Sequence, residues 1–165
     1  MPIQYHKPAE QVNGSAILAR FVDSIKVRYQ IATEGLTDSN KSFRVTPESM
    51  SMMELQKHIL LLLLWLTKSV GVPMEIKEKA QSFEDFRTDI IAACDTLRDH
   101  LNTMDDDSLS KVTIYLKRED KHYPIWFLIN GPLSDAIHHI GQIVTWRRQD
   151  GNPIQKISPF TSQSY

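Results

Sequence analysis

Apolar residues recur at three- and four-residue spacing along four stretches of the chain, and no alternating pattern of comparable length accompanies them. The first stretch predicts a helix from about Ala9 to Leu36, with Ile17, Leu18, Phe21, Ile25 and Tyr29 on one side and the loop "TDSNKS" after it. The second opens on Ser51-Met-Met-Glu54, the spacing of a capping box, in which the serine oxygen accepts an early amide and the glutamate reaches back. It runs through His58 and Trp65 to Gly71, and Pro73 blocks further propagation. The third starts at Ser82 with Glu84 and Asp85 in its first turn, where the helix dipole favours acids. Phe83, Phe86, Ile90, Ala93, Leu97 and Leu101 give it a core face, and it ends near Met104 in an acidic "DDD" loop.

Between 109 and 123 the periodicity fails. "VTIYL" has strand composition, but one short run makes no stable sheet alone, so this segment reads as a loop, with a short edge hairpin as the alternative. The fourth helix admits two starts. Asn130-Gly131-Pro132 can open it with Pro at the first helical position, or it begins near Pro124 and kinks at Pro132. Arg147 and Arg148 suit its C-terminal dipole, and Gly151 followed by Pro153 ends it. Four amphipathic helices with two substantial connections predict an all-α four-helix bundle.

Composition narrows the functional classes. A chain of 165 residues, 41% hydrophobic and 24% charged, is read as one domain over 1–165 with a continuous core. A net charge of -1 leaves no basic footprint for nucleic acid. The run "ILLLLLWL" (59–66) lies between Lys57 and Lys68, short of the roughly 20 apolar residues of a membrane span. No apolar leader follows the N-terminus, and the expected location is cytoplasmic. Cys94 is the only cysteine, which excludes an internal disulfide, and its setting in "DIIAACDTL" predicts a buried, inert thiol.

The chemistry sits where a core helix has titratable groups. On the fourth helix Asp135, His139, Gln142 and Trp146 share one stripe, with His138 at its edge and Ile137, Ile140 and Val144 on other sides. A carboxylate and an imidazole four residues apart can point at one ion. Gly141 beside them is expected to let a neighbouring helix approach closely. The natural third donor is His58, mid-helix among Leu55, Leu62 and Trp65, because an unpaired polar group there costs about 1–3 kcal/mol. Hydrogen bonding of Asp135 to His58 or His139 explains the same residues without a metal. His6, His100 and His122 are left outside any site, and Glu54 and Gln142 are the candidates to support the imidazoles from behind.

"MMELQKHI" on the second helix and "DAIHHIGQIVTWRRQDGNP" on the fourth resemble the DinB-like superfamily of metal-binding four-helix bundles, unrelated to the DNA polymerase of similar name. Its pattern is a histidine on the second helix and H-x-x-x-H on the fourth, the last histidine preceding x-G-Q. By that resemblance His58 and His139 are metal ligands, Asp135 stands where most members carry histidine, and His138 is a neighbour of the site. An acid at that position occurs in the mycothiol-dependent maleylpyruvate isomerase branch. The resemblance implies a divalent ion, zinc first, with nickel, iron or manganese as alternatives. It further implies an enzyme activating a low-molecular-weight thiol, or water, against a small-molecule substrate. Cys94 fits poorly as nucleophile, so any thiol would be a cosubstrate. A metal-dependent hydrolase and a non-catalytic stress or interaction module are the other readings. In the last of these the first helix with Phe160 and Tyr165 could form a homodimer interface.

Overall fold

A computed structural model describes residues 3, 5–7, 9–75 and 82–155. Four long helices carry the fold: α1 (Gly14–Thr33), α2 (Met52–Ser69), α3 (Phe83–Thr103) and α6 (Ser134–Gln149). Between α3 and α6 lie a short helix α4 (Asp106–Ser110), strands β1 (Thr113–Leu116) and β2 (Lys121–Pro124), and a single turn α5 (Trp126–Leu128). Packing runs in a closed ring, α1 on α3, α3 on α2, α2 on α6 and α6 on α1, so α1 and α2 are diagonal partners and so are α3 and α6. The chain is mostly helical, as its periodicity predicts. Among the described residues no helix is long and apolar enough to cross a membrane.

Local signals fix the helix ends. Ser51 and Glu54 form the predicted capping box, and Ser82 with Asp85 forms a second. The Ser51 amide on the Glu54 carboxylate holds that acid below its usual range. This contribution is present above the ordinary glutamate range and fades as pH falls through the lowered value. Ser51→Ala is expected to lower unfolding free energy by about 1 kcal/mol, measured by urea denaturation. Helix α1 is shorter than the periodicity predicts. Asn13 caps it by accepting from the Ala16 amide, and Gly35 at φ +74 turns the chain away after Thr33.

The core is filled by Val22, Ile25, Leu55, Ile59, Leu63, Ile90, Leu97 and Ile143, all without exposed surface. Cys94 lies among them, and burial pushes its thiol up to about 12, so it stays protonated and inert as the sequence predicts. Tyr29 crosses between the diagonal helices to donate its hydroxyl to Gln56 Oε1. Arg147 stands in the last turn of α6, as predicted, and is buried there, donating to Ala32 O and Glu34 O at 2.9 Å and closing the end of α1.

The segment 109–123 resolves in favour of the hairpin. Ile114 pairs with Tyr123 and Tyr115 with His122, and Asp120 takes the left-handed turn at φ +51. Two four-residue strands need outside support, which α2 supplies. Trp65 Nε1 donates to Tyr115 O at 3.3 Å, and Ile114 is buried against the bundle.

The second start of the fourth helix is the one adopted. The chain turns helical at Trp126, passes through a π turn over Ile129–Leu133, and continues as α6. Gly131 breaks the helical geometry there, and Pro132 has no amide to donate. Ser134 Oγ donates to the stranded Ile129 carbonyl. Asp135 therefore opens a fresh helical segment, where the dipole favours its charge.

Candidate metal centre

Helices α2 and α6 pack against one another, and this brings His58 to Asp135 across 77 positions of sequence. His58 Nε2 lies 3.3 Å from Asp135 Oδ2, and His139 Nε2 lies 3.3 Å from Asp135 Oδ1. The two imidazoles meet edge to face, with centroids 4.7 Å apart. One donor atom from each of the three residues lies within 4.8 Å of the others. The spacing argument from α6 and the polar residue inside α2 thus identify groups that converge. Exposure differs among them: the side chain of His139 is 12% exposed, that of His58 34% and that of Asp135 43%. The cluster is held from within by His139 and opens outward at Asp135.

Gln142 determines how His139 presents itself. His139 Nδ1 lies 2.9 Å from Gln142 Oε1, and Gln142 Nε2 lies 3.2 Å from His138 Nε2. Both contacts are met with the amide turned either way: Nδ1–H of His139 donates to Oε1 and the NH₂ donates to His138, or, with the amide and both tautomers reversed, His138 donates and Nε2–H of His139 faces the carboxylate. In either arrangement Gln142 ties the orientations of the two imidazoles together and leaves Nε2 of His139 3.3 Å from Asp135 Oδ1.

The donor set fits the metal. Two imidazole nitrogens and a carboxylate oxygen are zinc, iron, manganese or nickel ligands, and the set does not choose among them. Bonds of about 2.0 Å to a tetrahedral ion place donors roughly 3.3 Å apart; each histidine lies at that distance from a different Asp135 oxygen, and one donor atom from each residue lies within 4.8 Å of the others. Three protein ligands leave a position open, as in catalytic rather than structural sites. Gln142→Leu is expected to weaken metal affinity by about 10–100-fold with the fold intact, measured by competition with a chromogenic chelator.

The other site expectations divide. Gln142 takes the supporting place behind His139 that its spacing predicts. Glu54 is used elsewhere: its carboxylate accepts from the Ser51 amide and pairs with Arg44 at 2.8 Å. His138 is exposed and lines a cleft beside the cluster, the neighbouring position expected of it. Gly141 brings no helix close, because a side chain there would meet only open space. His122 lies on β2 and His100 in the last turn of α3, both away from the cluster. Phe160 and Tyr165 lie outside the described residues.

His6 is engaged in a way that its place near the N-terminus did not signal. Its backbone amide and Nδ1 reach the Asp23 carboxylate at 2.8 and 2.7 Å, inside a charge cluster with Lys26, Asp95 and Arg98. The signal available in sequence was the i, i+3 spacing of Arg20, Asp23 and Lys26, repeated by Asp95 and Arg98. Sequence reasoning also missed the cleft. Leu62, Trp65, Ile114, Leu116, Tyr123 and Phe127 wall a space of about 600 Å³ whose far side is the π turn, Asp135 and His138.

No protein-family model matches the chain, and no curated protein matches it in sequence. Solved structures do. A DinB-like protein, YjoA, from Bacillus subtilis superposes with a TM-score of 0.63 at 20% identity, over 90% of this chain and 99% of that one. A DinB-like protein from Bacillus cereus ATCC 10987 gives 0.62 at 15% identity, over 84% of this chain and 91% of that one. At such identities the likeness is one of fold.

Proposed function

We propose that this chain, a DinB-like fold with His58, Asp135 and His139 gathered at one opening, is a metal-dependent enzyme that activates a low-molecular-weight thiol against a small electrophile. The observation that carries the reading is the convergence of His58, Asp135 and His139 from two helices, with one donor atom of each within 4.8 Å of the others. A divalent ion held there supplies Lewis acidity and lowers the proton affinity of a coordinated thiol or water. Zinc is the first choice for that donor set, with nickel, iron and manganese as alternatives.

The protein's own groups do the rest. Gln142 fixes the ring of His139, and the partly exposed Asp135 keeps the cluster open to ligands. Cys94 is buried and protonated, so the nucleophilic sulfur comes from a cosubstrate. In the reaction the thiol gives its proton to solvent, its sulfur forms a bond to the electrophilic carbon, and the leaving group departs with the bonding pair.

The test is thiol consumption against 1-chloro-2,4-dinitrobenzene with the metal-loaded protein, each turnover releasing one chloride. Thiol-dependent turnover that is abolished in His139→Ala, with helical content retained, is the expected result. Cleavage of a nitrophenyl ester with no thiol present would favour a hydrolase instead. Metal-dependent stabilisation without either activity would favour a non-catalytic binding module.

A further inference from the structure

The three residues of the cluster do not share one opening. Asp135 lines the cleft of about 600 Å³ on the hairpin side. His58 lines a different recess of about 420 Å³, on the side of the connection between α1 and α2. The cluster therefore stands between two approaches, and their chemistry differs sharply.

The cleft is apolar and ring-lined. Trp65 from α2 and Tyr123 and Phe127 from the hairpin and α5 form its walls, with Leu62, Ile114 and Leu116 around them. Tyr123 and Phe127 are already paired, with centroids 4.5 Å apart and planes tilted by 36°, and Phe127 is 44% exposed. Flat apolar surface of this kind favours a ring, through area burial and stacking together. Its volume falls in the range of ligand pockets. Arg118 and Glu119 at its edge pair with each other at 3.3 Å, so the charge the cleft presents to a ligand is that of Asp135 at the cluster end.

The recess is charged and shallow. Arg44, Glu48, Glu54 and Lys57 line it with His58, so both signs are present within one small area. Arg44 is held by its pair with Glu54 at 2.8 Å. Such a surface complements a molecule that itself carries an ammonium and a carboxylate; Met50 and Leu61 add aliphatic surface at its edge, but no Phe, Tyr or Trp stands there as in the cleft.

We infer that the cluster is a two-substrate site with divided access: the hairpin cleft seats a substrate bearing an apolar ring, and the charged recess seats a zwitterionic thiol. The inference rests on the thiol-activating function above and adds where each reactant lies. Asp135 and His58 are the points at which the two approaches meet. A hydrolase would need no second organic site, so the partition itself argues for transfer between two molecules.

The test uses 2-naphthol as the ring probe and glutathione as the zwitterionic thiol probe, titrated by calorimetry into zinc-loaded protein. Expected is that Phe127→Ala weakens 2-naphthol by about tenfold and leaves glutathione unchanged, while Lys57→Glu does the reverse. Saturation with either probe should change the other's Kd by less than about threefold, because the two approaches do not overlap. Trp65→Ala, checked for retained helical signal, should repeat the Phe127→Ala result from the opposite wall. Displacement of one probe by the other would overturn the inference, as would a probe that follows the wrong variant or 2-naphthol that does not bind. Failure of the underlying metal reading shows separately, as a parent protein that takes up no zinc before any probe is added.

Discussion

Protein purified without an affinity tag and incubated with zinc is expected to hold close to one ion per chain, and His58→Ala, Asp135→Ala and His139→Ala are each expected to lose it. The size of the effect follows from the ligand count. Losing a partner behind a ligand costs about 10–100-fold in affinity, and losing one of three ligands costs more. Asp135→Ala should be the most damaging, because Asp135 lies 3.3 Å from both histidines and alone supplies negative charge to the ion. Asp135→His is the informative companion: it restores a third donor without the charge, so it should bind zinc while Asp135→Ala does not. Metal content by mass spectrometry, read beside far-ultraviolet circular dichroism, decides the matter. Retention of stoichiometric metal in the alanine variants would place the ion elsewhere. Absence of metal in the parent would leave His58, Asp135 and His139 as a polar contact between α2 and α6 that needs no ion.

How much of this was legible in the sequence depended on how local the cause was. The starts of α2 and α3 were readable because Ser51 with Glu54 and Ser82 with its acidic first turn act over three residues. Asp135 and His139 were readable for the same reason, being one turn apart on one helix. His58 was reached by a different route, as a polar residue inside an apolar helix that needed a partner. What was left open or missed is non-local. The hairpin is two four-residue strands whose stability comes from Trp65 and the bundle, fifty positions upstream of Tyr115. With the hairpin went the cleft, since Ile114, Leu116 and Tyr123 become walls only after it docks. Gly141 was misjudged because small size permits close approach without requiring it. The start of α1 was overextended although Asn13 was a visible cap.

The face of α1 that packs on α3 carries the largest expected stability effect. Asp23→Ala is expected to lower unfolding free energy by about 3–5 kcal/mol, the range for removing one member of a buried ion cluster. The Asp23 side chain is 1% exposed, with the His6 ring 2.7 Å away and Lys26 and Arg98 at 3.6 Å. Lys26 and Arg98 are themselves buried, so removing the carboxylate leaves two largely desolvated cations to share Asp95, with Asp99 on Arg98 alone. Asp95 does not offset the loss. It already accepts from Lys26 at 2.8 Å and from Arg98, and it is the more exposed of the two acids. Burial pushes the Asp95 carboxyl up, but Lys26 and Arg98 outweigh it and hold the group below its ordinary range. Stability from that pair is therefore complete above the ordinary aspartate range and is lost as pH falls through the lowered value. Urea denaturation at neutral pH measures the Asp23→Ala effect, and a loss under about 1 kcal/mol would show that the cluster is solvated in solution. The same variant should release the segment around His6, seen as faster amide exchange at His6, whose backbone hydrogen bond to Asp23 is removed. Metal uptake should be unchanged, because the cluster joins α1 to α3 whereas the ligands lie on α2 and α6. Loss of metal together with stability would mean that the bundle moves as one unit and that the two regions are coupled through its core.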